Sequence, residues 1–178
     1  ALAVRARNAN AQAVMICGHL EETLSMRSAL KKIKWSPRAF YSPVGPGLPS
    51  FFEKLGPDAE YIFSSSQWEV IGGMNPPGGR EFYDHFMKVY HKKPSHFAAT
   101  AYAAGQILEA AAQESQSLDR ERLRDIFSKL DMLTVSGRYG VDRTGLQIKR
   151  FTVVTQVLKG KTEVVWPKHQ QTARPVFR

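Results

Sequence analysis

From Gln12 to Cys17 the chain reads Gln-Ala-Val-Met-Ile-Cys, and it halts at Gly18. An unbroken apolar run of that length predicts a buried strand of the parallel-sheet kind. Glu21–Lys34 then places Met26, Leu30 and Ile33 on one helical face, with acids at its start and Lys31, Lys32 and Lys34 at its end. That charge order suits the helix dipole. Short strands are predicted at Ala39–Tyr41 and Glu60–Ser64. Between them, Pro43, Gly45, Pro46, Gly47 and Pro49 force a loop, and Phe51–Leu55 makes a helical turn. Strand, helix, strand, short helix, strand is α/β winding with a mainly parallel sheet. Ligands in such sheets sit beyond the carboxyl ends of the strands, here Gly18-His19, Ser42 to Gly45, and Ser65 to Trp68.

The pattern changes after the irregular stretch Gly72–Gly79. Gly79–His91 has Phe82, Phe86 and Val89 on one side. Ser95 can cap a helix whose apolar face carries Ala98, Ala101, Tyr102, Gly105, Leu108 and Ala112. Asp119 can cap a third helix with the stripe Leu123, Ile126, Phe127 and Leu130. These helices have no strands of their own beside them. Either they bundle together, or they cover a sheet supplied by other sequence. Val135–Val141 reads as extended and Asp142–Gly145 as a turn. Phe151–Leu158 and Thr162–Trp166 flank Lys159-Gly160-Lys161 as a β-hairpin, and the last eleven residues read as a tail.

Composition limits the function classes. The chain has 178 residues, 43% hydrophobic, one Cys and a net charge of +9. That is enough to build a core without disulfides, and one Cys excludes a disulfide framework or a Cys-based zinc ribbon. Residues 1–89 hold 10 Lys and Arg against 8 Asp and Glu, and residues 90–178 hold 15 against 8. Yet Arg120, Arg122 and Arg124 alternate with Asp119, Glu121 and Asp125, which reads as a solvated helix face and not as a nucleic-acid surface. No run of eighteen apolar residues is present for a membrane span. The start lacks both the apolar core of a signal peptide and a Met, so the chain is expected to be a piece of a longer one.

The chemical motifs are sparse. Cys17 and His19 lie two apart at a strand end and could form a nucleophilic pair, but no oxyanion loop or third orienting residue accompanies them. His85, His91 and His96 have spacings that fit no helical metal motif, so no metal is expected. Ser64-Ser65-Ser66 is not a nucleophile elbow, and Gly45-Pro46-Gly47 lacks the third glycine and the amides of a phosphate loop. Glu21 and Glu22 are adjacent and diverge on a helix, so dipole stabilisation is the simpler role. Trp68 is either a plug of a lobe junction or a wall of a ligand cleft.

Four phrases in order resemble the type I periplasmic binding proteins, and more closely the branched-chain amino acid or amide binding components of ABC transporters. They are Asn10–Gly18, Phe97–Gly105, Gly137–Asp142 with Gly145, and Gln156–Pro167. The resemblance covers only the family's C-terminal half. It implies an incomplete two-lobe fold: a parallel-sheet, three-layer α/β lobe, helices of the other lobe and a C-terminal β-hairpin. Residues 1–66 would be the later part of the second lobe, 67–142 a crossover and helices of the first, and 143–178 the return. It implies a non-enzymatic solute-binding component that closes two lobes about a hinge on a small amino-acid-like, amide or aromatic-acid ligand. The implied partner is a membrane permease, the location is periplasmic or attached to the cell envelope, and no cofactor is implied. His19, Tyr41, Val44, Gly45 and Trp68 are the expected ligand contacts. Val44 stands where amino-acid binders place an acid for the ligand's ammonium, which points toward an amide, an aromatic acid or another small carboxylate. A ligand-sensing regulatory domain of the same fold, and a small α/β hydrolase using Cys17 and His19, are the rival readings.

Overall fold

A computed structural model describes residues 1–70, 76–150 and 152–178. The first half of the expected Gly72–Gly79 loop, and Phe151 at the head of an expected strand, lie outside the described residues. The chain divides into two compact units. One is Ala1–Ser66 with Val153–Arg178, and the other is Gln67–Thr152. Residues 143–152, assigned above to the returning segment, cluster with the second unit.

The first unit is a five-stranded sheet in the order β1-β2-β3-β6-β7. β1 (Ala13–Met15), β2 (Ala39–Tyr41) and β3 (Ile62–Ser66) are parallel. β6 (Val153–Leu158) runs antiparallel to β3, and β7 (Lys161–Trp166) antiparallel to β6. Lys159 and Gly160, both at positive φ, make a two-residue hairpin turn, one residue shorter than the Lys159-Gly160-Lys161 connection expected there. α2 (Leu20–Lys32) and α3 (Pro49–Leu55) form as the periodicity requires, and Pro49 supplies the preset φ of a first helical position. Leu30, Phe40, Phe51, Ile62 and Val157 form the core, with Met26 and Ile33 packed against it.

Three features of this unit depart from the sequence reading. α1 (Leu2–Asn8) was not expected, and its Ala3 is buried in the same core. Its helix formers Leu, Ala and Arg carry the only local signal. β1 is less buried than a central parallel strand. It is an edge strand with Met15 67% exposed. Finally, the tail is bound. Alternation along the paired strands puts Met15, Tyr41 and Phe63 on the face opposite the helices. Phe177 meets Phe63 there, ring centroids 5.4 Å apart, and Arg178 lies 4.5 Å over the Tyr61 ring. The fully buried Gln156 carboxamide donates to the Tyr61 carbonyl (3.2 Å) and to the Val176 carbonyl (2.7 Å), and accepts from the Val176 amide (2.9 Å).

The second unit holds α4 (Gly79–Tyr90), α5 (His96–Ser115), α6 (Arg120–Lys129) and a small hairpin, β4 (Met132–Thr134) with β5 (Gly137–Tyr139). The expected Val135–Val141 extended segment is thus the turn and second arm of that hairpin. Ser95 and Asp119 cap their helices as predicted, accepting from the amides of Ala98 and Arg122. The apolar face read for α5 is not the face that this chain itself buries. Ala101, Tyr102, Gly105 and Leu108 are exposed, whereas Ala99, Ala103 and Ala111 are buried. The helix is apolar nearly all round, so periodicity alone could not choose its face. Val89 on α4 is also half exposed. Both backbone groups of the buried Val135 are held by side chains: Gln106 accepts from its amide and Trp68 donates to its carbonyl, each at 2.9 Å.

Two predictions follow from these contacts. Gln156→Leu leaves the Tyr61 carbonyl and Val176 unpaired and should lower stability by about 3 kcal/mol in urea unfolding, with faster proteolysis of the tail. Asp131 accepts from Arg138 (2.6 and 2.9 Å) and from Lys149, and these partners hold its carboxyl down to about 2. A depressed folded pKa stabilises fully above the unfolded value of about 3.9 and is lost as pH falls through the folded one. Protection of the β4–β5 hairpin amides, taken relative to their intrinsic exchange rates, should therefore fall between about pH 4 and pH 2. Asp131→Asn should remove that pH dependence.

Candidate functional site

Because β1, β2 and β3 are parallel, their carboxyl ends share one edge of the first unit's sheet, as the sequence reading required. The loop after β1 turns tightly into α2. The Glu22 carboxylate reaches back and accepts from the His19 amide at 2.9 Å. Gly18 makes room for this: a Cβ there would stand 2.9 Å from Glu22 Cγ. The amides of Glu22 itself and then of His19 hold the Glu22 carboxyl below the usual carboxylate range. Glu22 is therefore a cap, a more specific role than general dipole stabilisation.

Thr23 ties this turn to the end of β2. Its hydroxyl donates to the His19 carbonyl (3.0 Å) and lies 2.6 Å from Ser42 Oγ. A hydroxyl has one proton, so Ser42 must be the donor in the second bond. Both side chains are fully buried. The Tyr41 hydroxyl donates to Ser65 Oγ at 3.0 Å, and the Ser42 amide donates to the Phe63 carbonyl at 2.8 Å. The edge is thus a stitched rim. On it His19 is exposed, Tyr41 and Val44 are half-buried, and Gly45 opens a short 3-10 turn, Gly45–Gly47. Those four expected contacts come together in one unit. Sequence reasoning missed Thr23, Ser42 and Ser65, whose hydroxyls set the rim. Their signal was only a small polar residue at each strand or helix end.

Trp68 belongs to the second unit. It is buried, packs edge-on to Phe82 with centroids 5.8 Å apart, and donates its indole N–H to Val135. Cys17 is an exposed free thiol, and among the described residues no hydrogen bond joins it to His19. Among those residues, too, no three His, Cys, Asp or Glu side chains gather as a metal site, and no helix is long and apolar enough to cross a membrane. Burial, and then the nearby Arg150 charge, push the His96 pKa down.

The family model described as periplasmic binding protein matches residues 1–162. The chain belongs to the periplasmic binding protein family. Solved structures show where in this fold it falls. A leucine binding protein, LivK, from Thermotoga maritima MSB8 aligns with a TM-score of 0.78 at 23% identity, over 92% of this chain and 46% of that one. A putative branched-chain amino acid ABC transporter protein from Rhodospirillum rubrum gives 0.72 at 22%, over 92% and 47%. LivJ from Streptococcus pneumoniae, solved in complex with isoleucine, gives 0.69 at 19%, over 94% and 45%. The chain spans about half the length of these periplasmic binding proteins and shares their fold.

Thr23→Val keeps the shape of the rim but removes its shared hydroxyl. It should cost about 1–3 kcal/mol in chemical denaturation, because Ser42 Oγ and the His19 carbonyl lose a buried partner. A change below a few tenths of a kcal/mol would show that the rim is not held this way.

Proposed function

We propose that the intact protein is the solute-binding component of an ABC importer, taking its ligand at the strand-end rim of the first unit. The observation that carries this reading is the conjunction of family membership with that rim. The ends of the parallel strands β1 and β2 present His19, Tyr41, Val44 and Gly45 on one edge, with His19 and Tyr41 already fixed by hydrogen bonds. Preorganisation of this kind lowers the ordering cost of binding.

The chemistry of the rim favours an amide or an aromatic acid over a free α-amino acid. Two carboxylates stand at the start of α2, and both are engaged: Glu21 with Lys54 at 2.7 Å and Glu22 with the His19 amide. Val44 offers no charge to an ammonium. His19 can donate to a carbonyl or a carboxylate, the Tyr41 oxygen, its proton already given to Ser65, can accept from an amide N–H, and the Tyr41 ring can flank an apolar group. Trp68, expected from the sequence as a further contact, is buried in the second unit with its indole N–H on Val135, and is not among the contacts proposed. In the complete fold, the ligand would stabilise a closed arrangement of two lobes, which a membrane permease would recognise at the cell envelope.

The test is a calorimetric and thermal-shift panel on the intact protein with leucine, short aliphatic amides and hydroxybenzoates. An amide or aromatic acid should raise Tm by mass action, and His19→Ala or Tyr41→Ala should weaken it about tenfold. Response to leucine alone would sink the ligand class. No response to any compound would sink the binding reading.

A further inference from the structure

The second unit contains a pocket of about 220 Å³, lined by α5 and the β4–β5 hairpin with the segment after it. Ala103, Ala104 and Ile107 make one wall apolar. Two polar groups in the lining that are buried or half-buried are not used up. Ser136 is only 5% exposed, and its Oγ has no hydrogen-bond partner among the described residues. Buried hydroxyls are nearly always paired, so an orphan on a residue that lines a cavity marks a place for a ligand atom. The other group is Arg150. Its Cγ and Cδ pass 3.8 Å from where a Cβ on Gly137 would stand, which lays the side chain along the hairpin next to Ser136. The guanidinium is half-buried and gives one nitrogen to the Gln67 carbonyl. Among the described residues no carboxylate pairs with it.

Apart from the exposed Thr100, whose hydroxyl can also serve a ligand, the remaining polar groups of the lining are already occupied. Arg138 is bidentate with Asp131, the Tyr139 hydroxyl donates to the Phe127 carbonyl, and the Thr134 hydroxyl donates to the Gly137 carbonyl. The Gln147 carbonyl accepts from the amides of Gly140 and Lys149. The pocket therefore offers one uncommitted cation, one orphan hydroxyl and an apolar wall. A doubly charged phosphate would find too little compensation there. A single carboxylate on a short apolar body matches it, since Arg presents parallel donors to a carboxylate. Benzene fills an engineered cavity of about 150 Å³, so this one has room for roughly seven to ten non-hydrogen atoms.

We propose that this pocket binds a small monocarboxylate, its oxygens on Arg150 and Ser136 and its branched or aromatic body on Ala103, Ala104 and Ile107. The site is independent of the strand-end rim and does not rest on the transport reading. Trp68 reports on it, because its indole N–H is bonded to Val135, the neighbour of Ser136.

The experiment is NMR titration of the intact protein with 3-methylbutanoate, following the Trp68 indole N–H, with 3-methylbutanamide in parallel. The carboxylate should shift that signal saturably, and the amide should bind at least about tenfold more weakly. Ala104→Phe, at an exposed helix position, should abolish binding by filling the pocket, and Ser136→Ala should weaken it about fivefold. Arg150→Leu should abolish it. If that variant fails to fold, the first two decide the matter. No saturable shift up to about 10 mM would overturn the proposal. So would unchanged affinity in Ala104→Phe and Ser136→Ala, equal binding of the amide, or loss of binding in His19→Ala.

Discussion

One buried carboxamide holds the first unit in register. Gln156 has no exposure, so each of its polar atoms must find a partner inside the protein. It finds them on two distant segments, the carbonyl at the entry to β3 and both backbone groups of Val176. The choice between β3 and β6 pairings is thereby coupled to the seating of the tail. A slip of one residue would turn Gln156 to the helix side and bury its amide against Leu30, Phe51 and Ile62. Apolar packing supplies the bulk of the stability here, and the carboxamide decides which packing is allowed.

The rim follows from the same logic at the other end of the strands. Parallel winding delivers three chain ends to one edge, and small hydroxyl residues join them where no strand pairing continues. Thr23, Ser42 and Ser65 bring little size or charge, and beside them stand the exposed His19 and the half-buried Tyr41 and Val44, the contacts proposed above for a solute. In the second unit, Val135 is fixed in a comparable way, with Gln106 and Trp68 taking one backbone group each.

Much of this was legible in the chain. Apolar runs with period two or 3.6, ended by Gly and Pro, located β2, β3, α2 and the final hairpin. Ser95 and Asp119 marked helix starts because their side chains replace missing backbone partners. What could not be read depends on partners far away in sequence. The face of α5 is set by neighbours, since Ala, Gly, Tyr and Leu surround that helix and no single stripe stands out. The tail holds few apolar residues, and only the fold shows that Phe63 and Gln156 await them. The rim residues were placed at strand ends from the order of elements. The hydroxyl bonds that fix them, and the seat of Trp68, required coordinates.

The first unit is built from two stretches of chain with the whole of the second unit inserted between them. During synthesis, β1, β2 and β3 therefore leave the ribosome well before β6 can complete the sheet beside β3. Through that interval the edge of β3 has unpaired backbone groups and Phe63 lacks its cover. Such an edge is a template for strands of other chains. The inserted unit is contiguous, so all of it leaves the ribosome before β6 does. Translation speed across residues 67–152 sets how long that exposure lasts, and with it the demand this protein makes on chaperones.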